Sequence, residues 1–296
     1  MSVKLQLIEP NVGLYCPEIP FVFNQNGCCV HEIFRILTGS ANVRFPNSEK
    51  IINLSENQFI GKSWRSSNPK NIFNLLFSDS ISIDDYKDLV VNLSRSESDF
   101  FCKLRDELLL CLVNKKNKRY TESFLYLYRI LELMSVAFPM IYASTQRGFQ
   151  TSHDFLRALI TNEKDGELAV LQKAIPELSK GSILEDLTFD FDISGNELEF
   201  IREIKNQINI CIKPHIRSLV FEEDGDILFH VHFNDMAKFI VTCRNRIFHY
   251  RIKEKNVNLG AIGGADRFFH IIIDQSIKWF SLVLSEVIRA LSRKYI

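Results

Sequence analysis

From about residue 84 onward, apolar positions recur every three to four residues, the spacing that gathers them on one face of a helix. The pattern predicts helices over 84–94, 97–116, 121–143, 151–161, 196–213, 234–254 and 267–293. Pro139 is expected to kink or end the third, and Pro214 to stop the fifth, because proline lacks the N–H that a helix interior needs. Asn234 is the expected N-cap of the sixth. Residues 1–66 have a different texture: short β-prone runs at Val3–Ile8, Phe21–Phe23 and Val43–Phe45, broken by Asn26-Gly27 and Pro46-Asn47. Val30–Leu37 fits one short helix. A serine-rich, charge-mixed stretch over 78–98 suits a boundary. The expected fold is mainly α, with a small N-terminal mixed α/β or β-rich unit in 1–80 followed by a helical domain in 81–296.

Composition narrows the function classes. Lys+Arg and Asp+Glu both total 36 in 296 residues, which argues against a protein that coats nucleic acid without specificity. Charge is nevertheless segregated. Residues 185–199 carry Glu185, Asp186, Asp190, Asp192, Glu197 and Glu199 with no Lys or Arg, and a second acidic run follows at 222–226. Both are expected to be solvated loops. By contrast, 244–255 carries Arg244, Arg246, Arg251, Lys253 and Lys255 against the single Glu254, a site that would attract phosphate. The odd count of seven cysteines, with no C-x-x-C pair, reads as reduced thiols in a cytoplasmic protein. Charges interrupt the apolar regions 123–143 and 268–291, and no signal-peptide stretch opens the chain, so no membrane association is expected.

The chemistry concentrates in Thr242-Cys243-Arg244-Asn245-Arg246-Ile247-Phe248-His249-Tyr250. On a helix, Met236, Phe239, Ile240, Cys243, Ile247 and Tyr250 form an apolar stripe. Asn245 and His249 lie one turn apart on a polar face with Lys238 and Thr242. Arg244 falls close to apolar packing, where a permanent cation needs an anion or an acceptor. The 121–143 helix is apolar nearly all round yet holds Arg129 and Glu132, so a buried polar network joining Glu132, Arg129 and Arg244 is expected.

Arg244-Asn245-Arg246-Ile247-Phe248-His249, on a late helix of an α-helical domain, resembles the Arg-Asn-x-x-x-His signature of the HEPN superfamily. The helix carrying Tyr128-Arg129-Ile130-Leu131-Glu132-Leu133 is similar to that family's earlier core helix, which often bears a buried charge. The resemblance covers about 97–296. It implies a C-terminal HEPN-like helical bundle and a metal-independent endoribonuclease of the toxin or antiviral-defence kind, with no cofactor. RNA's own 2′-hydroxyl would attack the adjacent phosphorus, leaving a 2′,3′-cyclic phosphate and a 5′-hydroxyl. Arg244, Asn245 and His249 would be the catalytic set: His249 moves the proton, Arg244 holds the phosphate, and Asn245 orients the imidazole or holds a phosphate oxygen. Arg246, Arg251 and Lys253 would contact RNA. A homodimer follows, since the family usually faces two copies of the motif across an interface; a regulatory protein partner would restrain the nuclease. One departure matters. The family's toxins that are silenced by modification carry Tyr two residues after the His, whereas here Tyr250 follows directly and Arg251 takes that place.

A rival reading is a non-catalytic HEPN-like module that binds nucleotide or protein. Other features favour bland readings. His230 and His232 share one face of a strand without a third ligand fixed by spacing, so they are read as solvated or capping. Cys28 and Cys29 are read as idle thiols. Gly260–Gly264 lacks a Gly-Lys-Ser/Thr phosphate loop and reads as a flexible connection before the last helix.

Overall fold

The computed structural model describes residues 5–9, 28–45, 49–59, 73–74, 76–77, 81–146, 148–159, 166–222, 227–249 and 254–295. Among these, nine α-helices and two three-stranded antiparallel sheets form the mainly α fold that the periodicity predicts. The expected strand at Phe21–Phe23 lies outside the described residues.

The first sheet, β1 (Gln6–Ile8), β2 (Ala41–Arg44) and β3 (Ile51–Leu54), pairs in the order β1-β2-β3 with Leu7 opposite Val43 and Val43 opposite Ile52. Between β1 and β2 lies α1 (Cys29–Leu37), buried along its whole length. Gly39, at φ 74, turns the chain from α1 into β2, and a Cβ there would meet the Glu56 backbone at 2.8 Å. Next come α2 (Ile83–Ser96), α3 (Ser98–Lys116) and α4 (Tyr120–Thr145). A capping box starts α2: Ser82 Oγ accepts from the Asp85 N–H and Asp85 accepts from the Ser82 N–H.

α4 is the axis of the bundle, packed against α3, α6 (Glu167–Ser179) and α9 (Ala265–Tyr295). It is long and apolar enough to cross a membrane, but half of its apolar window is buried inside the protein. It also continues past Pro139 to Thr145, so the proline does not end it. Phe138 and Pro139 are both buried, and Phe138 packs on Phe100, so tertiary packing holds the helix across the missing hydrogen bond. A short α5 (Phe149–Leu159) precedes α6.

The second sheet is a correction to the loop expected at 185–199. Its strands β4 (Thr188–Asp192), β5 (Val220–Phe221) and β6 (Leu228–His232) pair in the order β4-β6-β5. Phe189 and Phe191 alternate with the acids, facing Val231 and Phe229 on the buried side. Asp190 and Asp192 therefore point outward from a strand. Between β4 and β5, α7 (Leu198–Gln207) widens into a π-turn (Ile208–Ile212) and a 3-10 turn (Lys213–His215) that contains Pro214. The α-helix thus ends at Gln207, ahead of the stop expected at Pro214, and Pro214 sits inside the 3-10 turn.

One hydrophobic core extends from Leu7 to Leu291. Elements on both sides of the 78–98 stretch contribute to it, and α1 packs directly on α3. That packing corrects the reading of the cysteines as reduced thiols. Cys29 and Cys102, 73 residues apart, come to a Cα separation of 5.1 Å and form a disulfide. Cys28, Cys111, Cys211 and Cys243 are free and buried.

Candidate functional site

The signature segment lies on α8 (Met236–Phe248), and its position is fixed by aromatic packing. Phe239 contacts both Phe191 and Phe229, which are stacked across the second sheet. Ile240 and Cys243 are fully buried one turn later. A 3-10 turn, Phe233–Asp235, leads into the helix, and Trp279 Nε1 donates to the Phe233 carbonyl at 3.0 Å. Asn234 is not the N-cap. It sits inside that turn and its Oδ1 accepts from Ser179 Oγ of α6 at 2.8 Å, while Asp235 takes the cap position.

The helix ends at Phe248 rather than continuing to 254. The reason is the returning chain: the Val257 N–H bonds the Arg246 carbonyl at 3.0 Å, and the Arg246 side chain pairs with Glu254. His249 is therefore the C-cap, exposed, with its N–H donating to the Asn245 carbonyl at 3.2 Å. Asn245 and His249 keep the one-turn spacing expected of them. Phe248, 39% exposed, stacks on Phe269 of α9, which in turn stacks on Phe124 of α4.

Arg244 is half-buried. Its guanidinium lies 4.8 Å above the Tyr128 ring of α4, and Nη1 donates to Asn245 Oδ1 at 3.1 Å. Burial pushes the Tyr128 hydroxyl above its ordinary range, Arg244 opposes that shift, and Glu132 adds to it. Among the described residues Arg244 has no carboxylate partner within ion-pair distance. Arg246, two residues on, is in the opposite condition. With its side chain only 12% exposed, it pairs with Glu254, and Nη2 bonds His215 Nε2 at 2.8 Å. Burial, then Arg246 and Lys238, lower the affinity of His215 for a proton, with Glu254 opposing.

The expected buried network of Glu132, Arg129 and Arg244 is not formed. Arg129 is exposed and pairs with Glu107 of α3 at 2.7 Å, and Glu132 is exposed. Both belong to a solvent face of α4 that also carries Leu125, Val136 and Met140, 40%, 51% and 58% exposed. The helix is apolar in composition all round, but one side of it faces solvent. Glu107 is the buried member of its pair, and desolvation raises its carboxyl pKa against the pull of Arg129. Arg251, Lys253 and Tyr250 lie outside the described residues.

Sequence reasoning missed Tyr128 as the surface under Arg244, and it missed His215 and Glu254 as the clamp on Arg246. Tyr128 was visible as an aromatic beside Arg129; nothing in the spacing points to His215. His230 lies between Asp190 at 2.7 Å and Glu222 at 3.2 Å on the outer face of the second sheet. No cluster of three or more metal-ligating residues occurs among the described residues. The Gly260–Gly264 segment is a hydrogen-bonded turn, with Gly264 N–H to the Leu259 carbonyl at 2.8 Å and left-handed backbone at Gly263 and Gly264.

Compared with protein-family models, curated proteins and solved structures, the chain matches none.

Proposed function

We propose that the chain is a metal-independent endoribonuclease of HEPN type, acting in the cytoplasm as a toxin or defence effector. The observation that carries this reading is Arg244: a half-buried guanidinium, positioned on Tyr128 and by Asn245, without a carboxylate among the described residues. Such a cation is available to a phosphate at low reorganisation cost. In the reaction, the RNA 2′-hydroxyl attacks the adjacent phosphorus as its proton passes to a base, and the P–O5′ bond breaks as the 5′-oxygen takes up a proton. His249, exposed one residue beyond the helix, serves one of those transfers. The other needs a second group, and His249 of a second copy supplies it in a homodimer. The exposed Leu125, Val136 and Met140 face of α4, which bears Glu132 near Tyr128, is the surface for that association. Arg246 serves the site as a strut for the last turn of α8, and Arg251 and Lys253 remain proposed RNA contacts. The N-terminal unit serves to sense, restrain or recruit, and a separate regulatory protein controls the activity.

The same exposed α4 face also favours a second reading, a non-catalytic module that works through its contacts. RNA cleavage by purified protein in EDTA, wild type beside His249→Ala with product ends mapped, separates the two. Cyclic phosphate ends from wild type alone support the nuclease. Equal cleavage by both proteins refutes the role of His249, and absence of cleavage favours the contact module.

A further inference from the structure

The motif is not the only basic ground on this molecule. Lys115-Lys116-Asn117-Lys118-Arg119-Tyr120 joins α3 to α4. The helix C-terminus accounts for lysines at 115 and 116, which oppose its dipole. It does not account for Lys118 and Arg119, which lie past the helix end. Lys118 itself holds a left-handed backbone, φ 58. Lys116, Lys118 and Arg119 are exposed, and among the described residues none has a carboxylate partner. Lys115 differs from them: it is 12% exposed and bridges Glu56 at 2.9 Å and Asp274 at 2.7 Å.

A cleft of about 310 Å³ opens beside this run, between it and the end of β3, with Asn53, Glu56, Lys116, Lys118 and Tyr120 in its wall. The acid in that wall, Glu56, shares Lys115 with Asp274, and Asp266 accepts from the Thr121 N–H nearby. Against these three carboxylates the four cations Lys115, Lys116, Lys118 and Arg119 leave the cleft net positive by one. Tyr120 is held from outside the cleft by His270 of α9, whose ring centroid lies 4.3 Å from its own. A ring fixed on a partner and lining a basic cleft is a ready stacking surface for a base.

The cleft also lies on the same end of the bundle as the motif. Phe124 is one helical turn after Tyr120, stacks at 4.0 Å on Phe269, and through it reaches Phe248 at 5.6 Å, the residue before His249. Tyr120, one turn before Phe124 on α4, and Phe248, next to His249, thus flank the same buried Phe124–Phe269 pair at this end of the bundle. Resting on the ribonuclease reading, we infer that single-stranded RNA follows this edge: phosphates on Lys116, Lys118 and Arg119, one base on Tyr120, and the strand continuing past Phe248 to Arg244 and His249. Single strands fit better than duplex, because a base can reach the Tyr120 ring only when it is unstacked.

The test is fluorescence anisotropy of a labelled, uridine-rich RNA of about 12 nucleotides, within the range such sites cover. It is measured on the full chain in a His249→Ala background. Reversing charge with Lys116→Glu and Lys118→Glu together, both at exposed positions, should weaken binding at least tenfold. It should also flatten the slope of log K against log salt by about 1.4, the share of two phosphates on a single strand. Tyr120→Ala should weaken binding at least fivefold with the salt slope unchanged, and Tyr120→Phe should restore it. Unaltered binding in the charge-reversed variant, or no RNA binding by the parent, overturns the inference. The two readings fail separately. If the parent binds RNA through this cleft while wild type leaves it uncut, the track stands and the nuclease falls. If wild type leaves cyclic phosphate ends and the charge-reversed protein binds and cuts as well as it does, the track falls and the nuclease stands.

Discussion

Arg244 and Arg246 sit two residues apart on the same last turn of α8, and the protein treats them in opposite ways. Arg246 is enclosed by the returning chain, with Glu254 and His215 on its guanidinium and Val257 on its carbonyl. Arg244 rests on an aromatic face and a neutral amide. The first arrangement satisfies a charge and closes a helix; the second fixes the position of a charge without neutralising it. Identical side chains in one basic segment thus have different uses, and the separation comes from their neighbours on other elements.

The sharpest way to break that comparison is to remove each arginine. Arg244→Ala or His249→Ala should lower RNA cleavage about 10²–10³-fold, the usual effect of losing a charge stabiliser or an acid–base group, while the thermal midpoint stays nearly unchanged. A large fall in stability for Arg244→Ala would mean that its role is structural. Arg246→Ala should do the reverse. Leaving Glu254 and the helix end without their partner should cost about 1–3 kcal/mol, discounted from fully buried pairs because Glu254 is 36% exposed. Melting should then drop by several degrees, with cleavage by the remaining folded protein retained. Arg244→Lys sharpens the contrast further. It keeps the charge but loses the planar stack and fork, so cleavage should fall about tenfold, against near-wild-type stability.

The smallest effect is on pH dependence. His215 accepts a hydrogen bond from Arg246, and its pKa is lowered below the ordinary 6.5. The unfolded chain therefore binds the proton more readily, and stability should rise with pH through that region and be lost as pH falls through 6.5 toward the lower folded value. Urea midpoints for wild type and His215→Gln, compared across that window, should converge as pH falls. Parallel curves would show that His215 does not couple to the clamp.

Most helices could be read directly because amphipathic spacing is a local signal: 98–116 and 120–145 differ from their expected bounds by only a residue or two. Elements whose pattern depends on distant partners could not. β4 reads as an acidic loop because its Asp residues alternate with Phe, and only pairing with β6 across the chain buries the Phe. Cys29 and Cys102 meet because α1 packs on α3, a fact no spacing encodes. The motif residues were found as a group, but their states were not. Arg129 and Glu132 looked buried because the helix around them is apolar, and apolar composition does not tell which side of a helix remains uncovered.

The π-turn at Ile208–Ile212 has a geometric consequence for how this molecule can vary. A helix converts residue count into rotation, about 100° for each residue. A turn holding one residue more than α-helical bonding accommodates stores such an offset. His215 meets Arg246 with that offset built in. Deleting a single residue between Gln207 and Pro214 would relax the turn to an ordinary helix and leave His215 close to its present azimuth, whereas deleting one from α7 itself would swing His215 by about 100°. The π-turn is thus a place where length can change without moving the contact that closes α8.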